Sequence, residues 1–275
     1  MHSHPLASAE ILQLPNRIAF WDFQGDDFTS PGLPPLSLQS KGKPPEFAAE
    51  GVFGARSLRF RTDGHLAANY LFATAAAAPA LNLGGPDAQV TVVAWIKREP
   101  GAYPGCQFLA GVWNEHHRRQ YGLFLNLAIW DSAEQVGAHV SGHGGPTPGF
   151  PYCMDVAIGA TPVSFDEWHC VALTYDGTEA AAWLDGTLDR RDPPGQPGRN
   201  PFVYPGGLLK GDADFTVGAV FRPARVESDG QGGFRETGSV IANPFVGLLG
   251  GLAVFDRALA SSELRRLAQF QVQTA

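Results

Sequence analysis

Hydrophobic and polar residues alternate at every second position in many short segments, a pattern that predicts a β protein. The clearest example is residues 168–186, where two alternating segments are joined by Asp176-Gly177 and followed by a second Asp-Gly. Asp-Gly favours the positive φ angles of a tight turn, so this stretch predicts a β-hairpin.

Further strands are predicted wherever β-branched and aromatic residues alternate between turn residues. The predicted strands are 17–28, 57–60, 89–97, 108–113, 121–127, 136–141 and 215–218. Leu264, Leu267 and Ala268 have the i, i+3, i+4 spacing of a short C-terminal helix.

Three of these segments resemble the laminin-G-like, concanavalin A-like superfamily. The hairpin resembles its "W-h-x-v-A-x-t-y-D-G…l-y-v-D-G" motif, residues 89–97 resemble its "f-T-v-s-a-W-v-k" strand, and residues 245–259 resemble its closing "F-x-G-x-I-D-x-v-r-I-Y-n-R-A-L" signature. The resemblance covers about residues 17–268. It implies one all-β domain over 1–275, a concanavalin A-like jelly-roll sandwich of two antiparallel sheets with a short C-terminal helix.

The resemblance also bears on calcium. Two positions that are often acidic in the superfamily hold Gln24 and Gly250 here. Because calcium takes six to eight oxygen ligands, the loss of both acids argues against the usual structural site. Asp22, Asp26 and Asp27 either replace it or form a solvated turn. No other cofactor and no metal ligands are predicted.

Composition narrows the class of partner. The 275 residues are 44% hydrophobic, enough for a sizeable core, and 33 Gly and 22 Pro are scattered as turn residues. A formal charge of −7 provides no basic field for nucleic acid or an anionic membrane. The apolar segment 71–81 contains Pro79 and is too short for a transmembrane helix, so no membrane span is predicted.

The cellular compartment stays open. Residues 1–20 lack the basic and apolar regions of a signal peptide, so either the protein is not exported by that route or the natural N terminus has been trimmed from a secreted or periplasmic protein. Cys170 lies in a strand pattern and is expected to be buried. Cys106 and Cys153 lie in predicted loops, where a disulfide between them is one possibility.

A dense polar cluster follows the strand that ends at Trp113. Two guanidiniums and two imidazoles on one loop favour recognition of carboxylate or sulfate, although an exposed charged loop is the alternative. The candidate ligand-binding residues of this cluster are Trp113, Asn114, Glu115, His116, His117, Arg118 and Gln120.

Two further segments contribute candidates. If strand 136–141 neighbours strand 121–127, His139 and Ser141 share a polar surface with Gln120 and Asn126. A Gly- and Pro-rich loop over 142–153 is longer than a minimal connection requires, which is typical of a binding loop. It contains His143 and Tyr152 and is followed by Asp155.

These residues suggest two functions. The leading hypothesis is a carbohydrate-recognising protein that binds an acidic, uronate- or sulfate-bearing glycan, with Trp113, Trp130 or Phe150 as an apolar platform. The alternative is a polysaccharide lyase in which His143, Tyr152 and Arg119 are catalytic. No paired-carboxylate motif of a glycoside hydrolase is present. An assembly or adhesion domain is a third possibility.

Overall fold

The computed structural model describes residues 7–32, 34–101, 103–195 and 198–274. Its two helices are α1 (Ser8–Leu12) and α2 (Ser261–Leu267), and a 3₁₀ turn spans Pro79–Leu81. No helix in the described ranges is long and apolar enough to cross a membrane. Of residues 1–20, in which no signal peptide is predicted, the first six lie outside the described residues.

The first strands are β1 (Arg17–Trp21), β2 (Thr29–Ser30), β3 (Leu36–Ser37), β4 (Gln39–Gly42), β5 (Glu46–Ala48), β6 (Glu50–Gly51), β7 (Ser57–Phe60), β8 (Thr62–Asp63), β9 (Leu66–Ala67), β10 (Asn69–Ala73), β11 (Val90–Arg98), β12 (Gln107–Asn114) and β13 (Arg118–Leu125). The remaining strands are β14 (Val136–Val140), β15 (Val156–Ile158), β16 (Trp168–Tyr175), β17 (Glu179–Leu184), β18 (Thr187–Leu188), β19 (Phe202–Val203), β20 (Phe215–Val217), β21 (Val220–Arg222), β22 (Arg225–Ser228), β23 (Phe234–Thr237), β24 (Val240–Ala242), β25 (Gly247–Phe255) and β26 (Gln273–Thr274).

Two large sheets form a sandwich, as predicted. The first sheet has the order β18-β17-β16-β11-β25-β7-β5, with β1 also paired to β25 and β19 to β17. The second sheet has the order β15-β14-β13-β12-β20-β10-β4, and β21 joins it beside β12. Strand neighbours within the two sheets are antiparallel except β12 and β21, which make one parallel pair at Asn114 and Phe221.

The predicted hairpin is formed by β16 and β17. Gly177 has a φ of 99°, and the Asp176 carboxylate accepts the backbone N–H groups of Thr178 and Glu179 at 2.8 Å each. Burial alone would raise the pKa of Asp176, but these hydrogen bonds outweigh burial, and the pKa of Asp176 is lowered. The same hydrogen bonds stabilise the turn. The Asp-Gly prediction is therefore confirmed in its physical detail.

The main core lies between the sheets and takes alternate residues of each strand. In β13, Tyr121, Leu123 and Leu125 face this core, whereas Phe124 faces outward. The outer face of the first sheet is covered by α1 and α2, which pack Ile11, Leu264 and Leu267 on Trp95 and its neighbours. The outer face of the second sheet carries a smaller cluster around Phe108, Trp113 and Phe124.

One hairpin has no counterpart among the predicted strands. In the polar, Gly-rich stretch 222–239, β22 pairs with β23, from Arg225 opposite Thr237 to Ser228 opposite Phe234. Both of its faces are largely exposed, so it carries no hydrophobic alternation by which the sequence would reveal it.

Candidate functional site: a cavity on the outer face of the second sheet

A cavity of about 350 Å³ opens over the outer face of the second sheet. Its floor is made of three rings from neighbouring strands, Trp113 of β12, Phe124 of β13 and His139 of β14. The His139 ring lies 4.9 Å from the Trp113 ring and 5.0 Å from the Phe124 ring, centroid to centroid. Each ring is packed against the other two, so the floor is rigid.

Three walls surround this floor. The first is the segment that follows β13, through Leu127, Ala128 and Ile129. The second is the segment before β15, through Tyr152, Cys153 and Met154. The third brings together residues that are far apart in sequence, namely Cys106, Glu115, Arg119, Arg222 and Asn243.

The third wall is charged. Arg119 is 2% exposed, and its Nη1 donates to the Gly144 carbonyl at 3.2 Å. Arg222 has a buried Nε–H without a hydrogen-bond partner. Neither guanidinium forms an ion pair with an acid among the described residues. Because two guanidiniums line this wall, it is suited to a ligand that brings acceptor oxygens.

Glu115 is the single carboxylate among the described residues that line the cavity. Asn243 Nδ2 donates to its Oε1 at 3.4 Å. Burial raises the pKa of the Glu115 carboxyl, while the positive charges of Arg119 and Arg222 oppose the rise. Two guanidiniums and at most one ionised carboxylate leave the cavity with a net positive charge.

His139 is held as a neutral ring. Its Nδ1 lies 3.1 Å from the Asp155 carbonyl, which accepts only, so Nδ1 carries the proton and Nε2 is an acceptor. Burial lowers the pKa of His139 to about 3, the hydrogen bond to Asp155 opposes this, and the charge of Arg119 adds to it. At neutral pH the ring is therefore a poor proton acceptor.

The first wall is built from unusual backbone. Asn126, Ala128, Trp130 and Asp131 have φ angles of 52°, 54°, 52° and 55°. Such left-handed conformations cost non-glycine residues about 1 kcal/mol or more each. Arg191 Nη2 stabilises this wall by donating to the Trp130 and Asp131 carbonyls, both at 2.9 Å.

Solved structures with the same architecture place this site in context. No protein-family model matches the chain, and no curated protein matches its sequence. Domain 4 of AbnA, a GH43 extracellular arabinanase from Geobacillus stearothermophilus in complex with arabinotriose, is 14% identical with a TM-score of 0.52, and the match covers 92% of this chain and 98% of that domain. The chain has the concanavalin A-like jelly-roll fold.

Two further structures share this concanavalin A-like fold. A structure of botulinum neurotoxin type C, described as entering cells through interaction with two ganglioside molecules, is 8% identical with a TM-score of 0.59 over 94% of this chain. A mutant Trypanosoma rangeli sialidase with trans-sialidase activity is 15% identical with a TM-score of 0.50 over 92% of this chain. The chain spans 52% of the first structure and 33% of the second.

Both predicted binding stretches reach the cavity of this sandwich. Trp113, Glu115 and Arg119 come from the first stretch and Tyr152 from the second. The assumed pairing of strands is also present, because β13 and β14 are antiparallel neighbours with Gly122 opposite His139. His139 projects into the cavity from this pair.

The other predicted residues of the first stretch lie outside the cavity lining, because each is engaged elsewhere. The Asn114 side chain accepts the His116 backbone N–H at 2.9 Å, and the His116 ring Nε2 contacts the Ser239 hydroxyl at 3.1 Å. The His117 ring lies 3.5 Å from the Glu236 carboxylate, and Arg118 pairs with Asp212 at 3.5 Å. The Gln120 amide donates to the Asn82 side chain at 2.6 Å.

A β-bulge explains the position of Arg119. Val112 lies opposite Tyr121 and Trp113 lies opposite Arg119, so Gln120 is an extra residue in β13. Arg119 therefore lies on the outer face with Trp113 and lines the cavity, whereas Arg118 is exposed.

The predicted residues around the second stretch divide in the same way. His143 lies outside the cavity lining, with its Nδ1 accepting the Gly145 N–H at 3.1 Å and its Nε2 3.5 Å from the Asp155 carboxylate. The Ser141 hydroxyl accepts the Gly144 N–H at 2.9 Å, and Asn126 donates to the Pro104 and Gly105 carbonyls. These side chains shape the loops that border the cavity.

The calcium position does not fit a cation. Gln24 Nε2 donates to the Asp22 carbonyl at 2.9 Å and to the Arg56 carbonyl at 2.8 Å, so an amide donor uses the acceptor oxygens there. Asp26 pairs with Arg56. A Cβ at Gly250 would lie 2.8 Å from both the Trp168 and Val52 side chains, which leaves no room for an acid. The described residues contain no group of three or more His, Cys, Asp or Glu side chains placed to hold a metal ion.

The cysteines are free thiols in the structure, so the possible bridge between Cys106 and Cys153 is not formed. Both line the cavity. Burial raises the pKa of Cys153 to about 12 and that of Cys106 well above its ordinary value, so both act as neutral groups. Cys170 is buried, as expected.

Sequence reasoning did not identify several cavity residues. Arg222 and Asn243 arrive through β21 and β24, which join the second sheet beside β12 from more than 100 positions further along the chain. No local motif marks either residue. Met154 and residues 127–129 are apolar loop residues without a distinguishing pattern.

Proposed function

We propose that this protein binds acidic saccharides, with one uronate or sulfated sugar residue occupying the cavity and its anionic group facing Arg119 and Arg222. The observation that carries the proposal is the charged wall. The buried guanidinium of Arg119 and the partly buried guanidinium of Arg222, neither in an ion pair among the described residues, adjoin an aromatic floor. This combination provides charge for the acid and an apolar surface for the ring.

Charge and size both favour this class of ligand. A guanidinium can donate two parallel hydrogen bonds to a carboxylate or sulfate, and two guanidiniums, those of Arg119 and Arg222, line this cavity. A cavity of about 350 Å³ is at the small end of the range for ligand sites and suits a single sugar ring. Neutral His139 Nε2 offers an acceptor for a sugar hydroxyl.

The fold is compatible with this function but does not establish it, because one sandwich hosts many activities. Among the structural neighbours, the arabinanase domain is in complex with arabinotriose and the botulinum neurotoxin study concerns gangliosides. These ligands belong to those proteins. They support a saccharide ligand here as a class, and the acid preference rests on the charged wall.

The test compares acidic sugars with their uncharged parents. Isothermal titration calorimetry with methyl galacturonide and methyl galactoside should show the acid binding at least tenfold more tightly. Arg222→Gln should weaken binding of the acid by about tenfold, the value of one charge-assisted hydrogen bond, and leave the uncharged sugar unaffected. Arg118→Gln is the matched control, because Arg118 is 54% exposed and points away from the cavity.

Two results would overturn the proposal. Equal affinity for the acid and its uncharged parent would remove the role of the charged wall. Absence of binding by the folded protein to galacturonide, glucuronide and a 6-sulfated hexose would remove the saccharide function itself.

The lyase hypothesis has weaker support from the same geometry. Arg119 and Tyr152 share the cavity, but His143 does not line it and the low pKa of His139 makes that ring a weak base. We therefore expect no unsaturated product from polygalacturonate, measured by absorbance. A product that disappears in Tyr152→Phe would reinstate the enzyme.

A further inference from the structure

Two large aromatic side chains are exposed on the loop between β14 and β15, which borders the cavity. Phe150 is 38% exposed and Tyr152 is 47% exposed. Tyr152 also lines the cavity, and Phe150 lies two residues before it on the same loop. Neighbouring exposed aromatic residues beside a cavity are typical of ligand contacts, because aromatic faces bury a large apolar area against a ligand ring.

The loop that carries the two rings is held in one conformation. The Phe150 N–H donates to the Thr147 carbonyl at 2.9 Å, and the Thr147 N–H donates to the Tyr152 carbonyl at 3.0 Å. The Thr147 hydroxyl accepts the Met154 N–H at 2.8 Å. Prolines at 146, 148 and 151 further restrict the backbone. Little conformational entropy is therefore lost when a ligand contacts these rings.

The Phe150 ring is also supported from behind. It packs edge-on against the Trp130 ring at 6.0 Å, and Trp130 Nε1 donates to the Met154 carbonyl at 3.3 Å. The Arg199 guanidinium lies 3.9 Å from the Trp130 ring centroid. Phe150 thus rests on a packed stack and is not free to fold into the cavity.

We infer that Phe150 and Tyr152 form a second subsite, which stacks the sugar residue next to the one in the cavity. The inference rests on the proposed function and extends it, because it makes the preferred ligand an oligosaccharide. The exposed parts of two rings are far smaller than the roughly 800 Å² per partner of a protein interface. A single pyranose ring, linked to the acidic residue, matches their extent.

The test measures affinity against chain length. Calorimetry with galacturonic acid and its α-1,4-linked dimer and trimer should show a three- to tenfold gain from monomer to dimer, the worth of one added stacking contact, and little further gain for the trimer. Phe150→Ala should remove the gain, and Phe150→Tyr should retain it. Phe165→Ala is the matched control, since Phe165 is 39% exposed and packs on Arg98 instead of the cavity.

The outcomes separate the two proposals. Monomer binding without a gain for the dimer overturns the second subsite and leaves the cavity proposal intact. A gain that persists in Phe150→Ala, with the fold verified by near-ultraviolet circular dichroism, also overturns the subsite. Failure of every galacturonide to bind overturns the cavity proposal and the subsite with it.

Discussion

Replacement of His139 isolates the energetic effect of burying a neutral imidazole in the cavity floor. His139 is 4% exposed, and its pKa falls to about 3 in the folded protein, compared with about 6.5 in an unfolded chain. As the pH falls below 6.5, the unfolded chain binds a proton that the folded protein rejects. Stability is therefore present above pH 6.5 and is lost as the pH falls toward 3.

The magnitude follows from proton linkage. Between pH 7 and pH 4.5 this single group should lower the free energy of unfolding by about 2.5 kcal/mol, and roughly half of that loss should occur by pH 5.5. The value at pH 4.5 depends little on the folded pKa, because at that pH the folded ring is still mostly neutral.

The measurement is urea unfolding at pH 7, 5.5 and 4.5. His139→Gln and His139→Phe both remove the titration, although they differ in packing against Trp113 and Phe124. Each variant is expected to lose about 2.5 kcal/mol less than the native protein over this pH range. If the native protein and both variants lose stability in parallel, His139 is not a buried neutral ring and the description of the cavity floor is wrong.

The remaining predictions concern the scaffold. The fully buried Asn200 side chain accepts the Ala182 N–H and donates to the Ala182 and Asp189 carbonyls. Asn200→Ala should therefore lower the free energy of unfolding, measured by urea titration, by about 3 kcal/mol. A loss below about 1 kcal/mol would contradict this. Gly250→Ala should lower the melting temperature, because its Cβ would lie 2.8 Å from Trp168 and Val52, and an unchanged melting temperature would refute the close approach. Addition of a chelator should leave the native melting temperature unchanged, since the Gln24 amide uses the carbonyl oxygens that a cation would need; a downward shift would indicate a structural ion.

The sequence predicted the framework well because its signals are local. The Asp176-Gly177 turn, the alternation in β13 and the spacing of Leu264 and Leu267 each depend on a few adjacent residues. The pairing of β13 with β14 was also inferred correctly, since strands adjacent in the chain are usually adjacent in the sheet.

The site was predicted only in part because it depends on distant contacts. His139 looked like part of an open polar surface, but segments 127–129 and 152–154 cover it. The cluster 116–119 was predicted to be one patch, but only Arg119 of these four lines the cavity, because a β-bulge at Gln120 brings it to the outer face of the sheet. Arg222 and Asn243 reach the cavity because β21 pairs with β12 and with β24, and no local sequence pattern predicts these strand pairings.

The wall at 126–131 has a practical consequence for redesign. This segment belongs to neither sheet, yet it borders the cavity and is anchored by a few hydrogen bonds from Arg191 and the Asn126 side chain. Exchanging it for a segment of equal length would change one wall of the cavity without altering the strand pairings of either sheet. Positions 126, 128, 130 and 131 have positive φ angles, which glycine, asparagine and aspartate tolerate best. A library of variants of this segment should therefore favour these three residue types at those four positions.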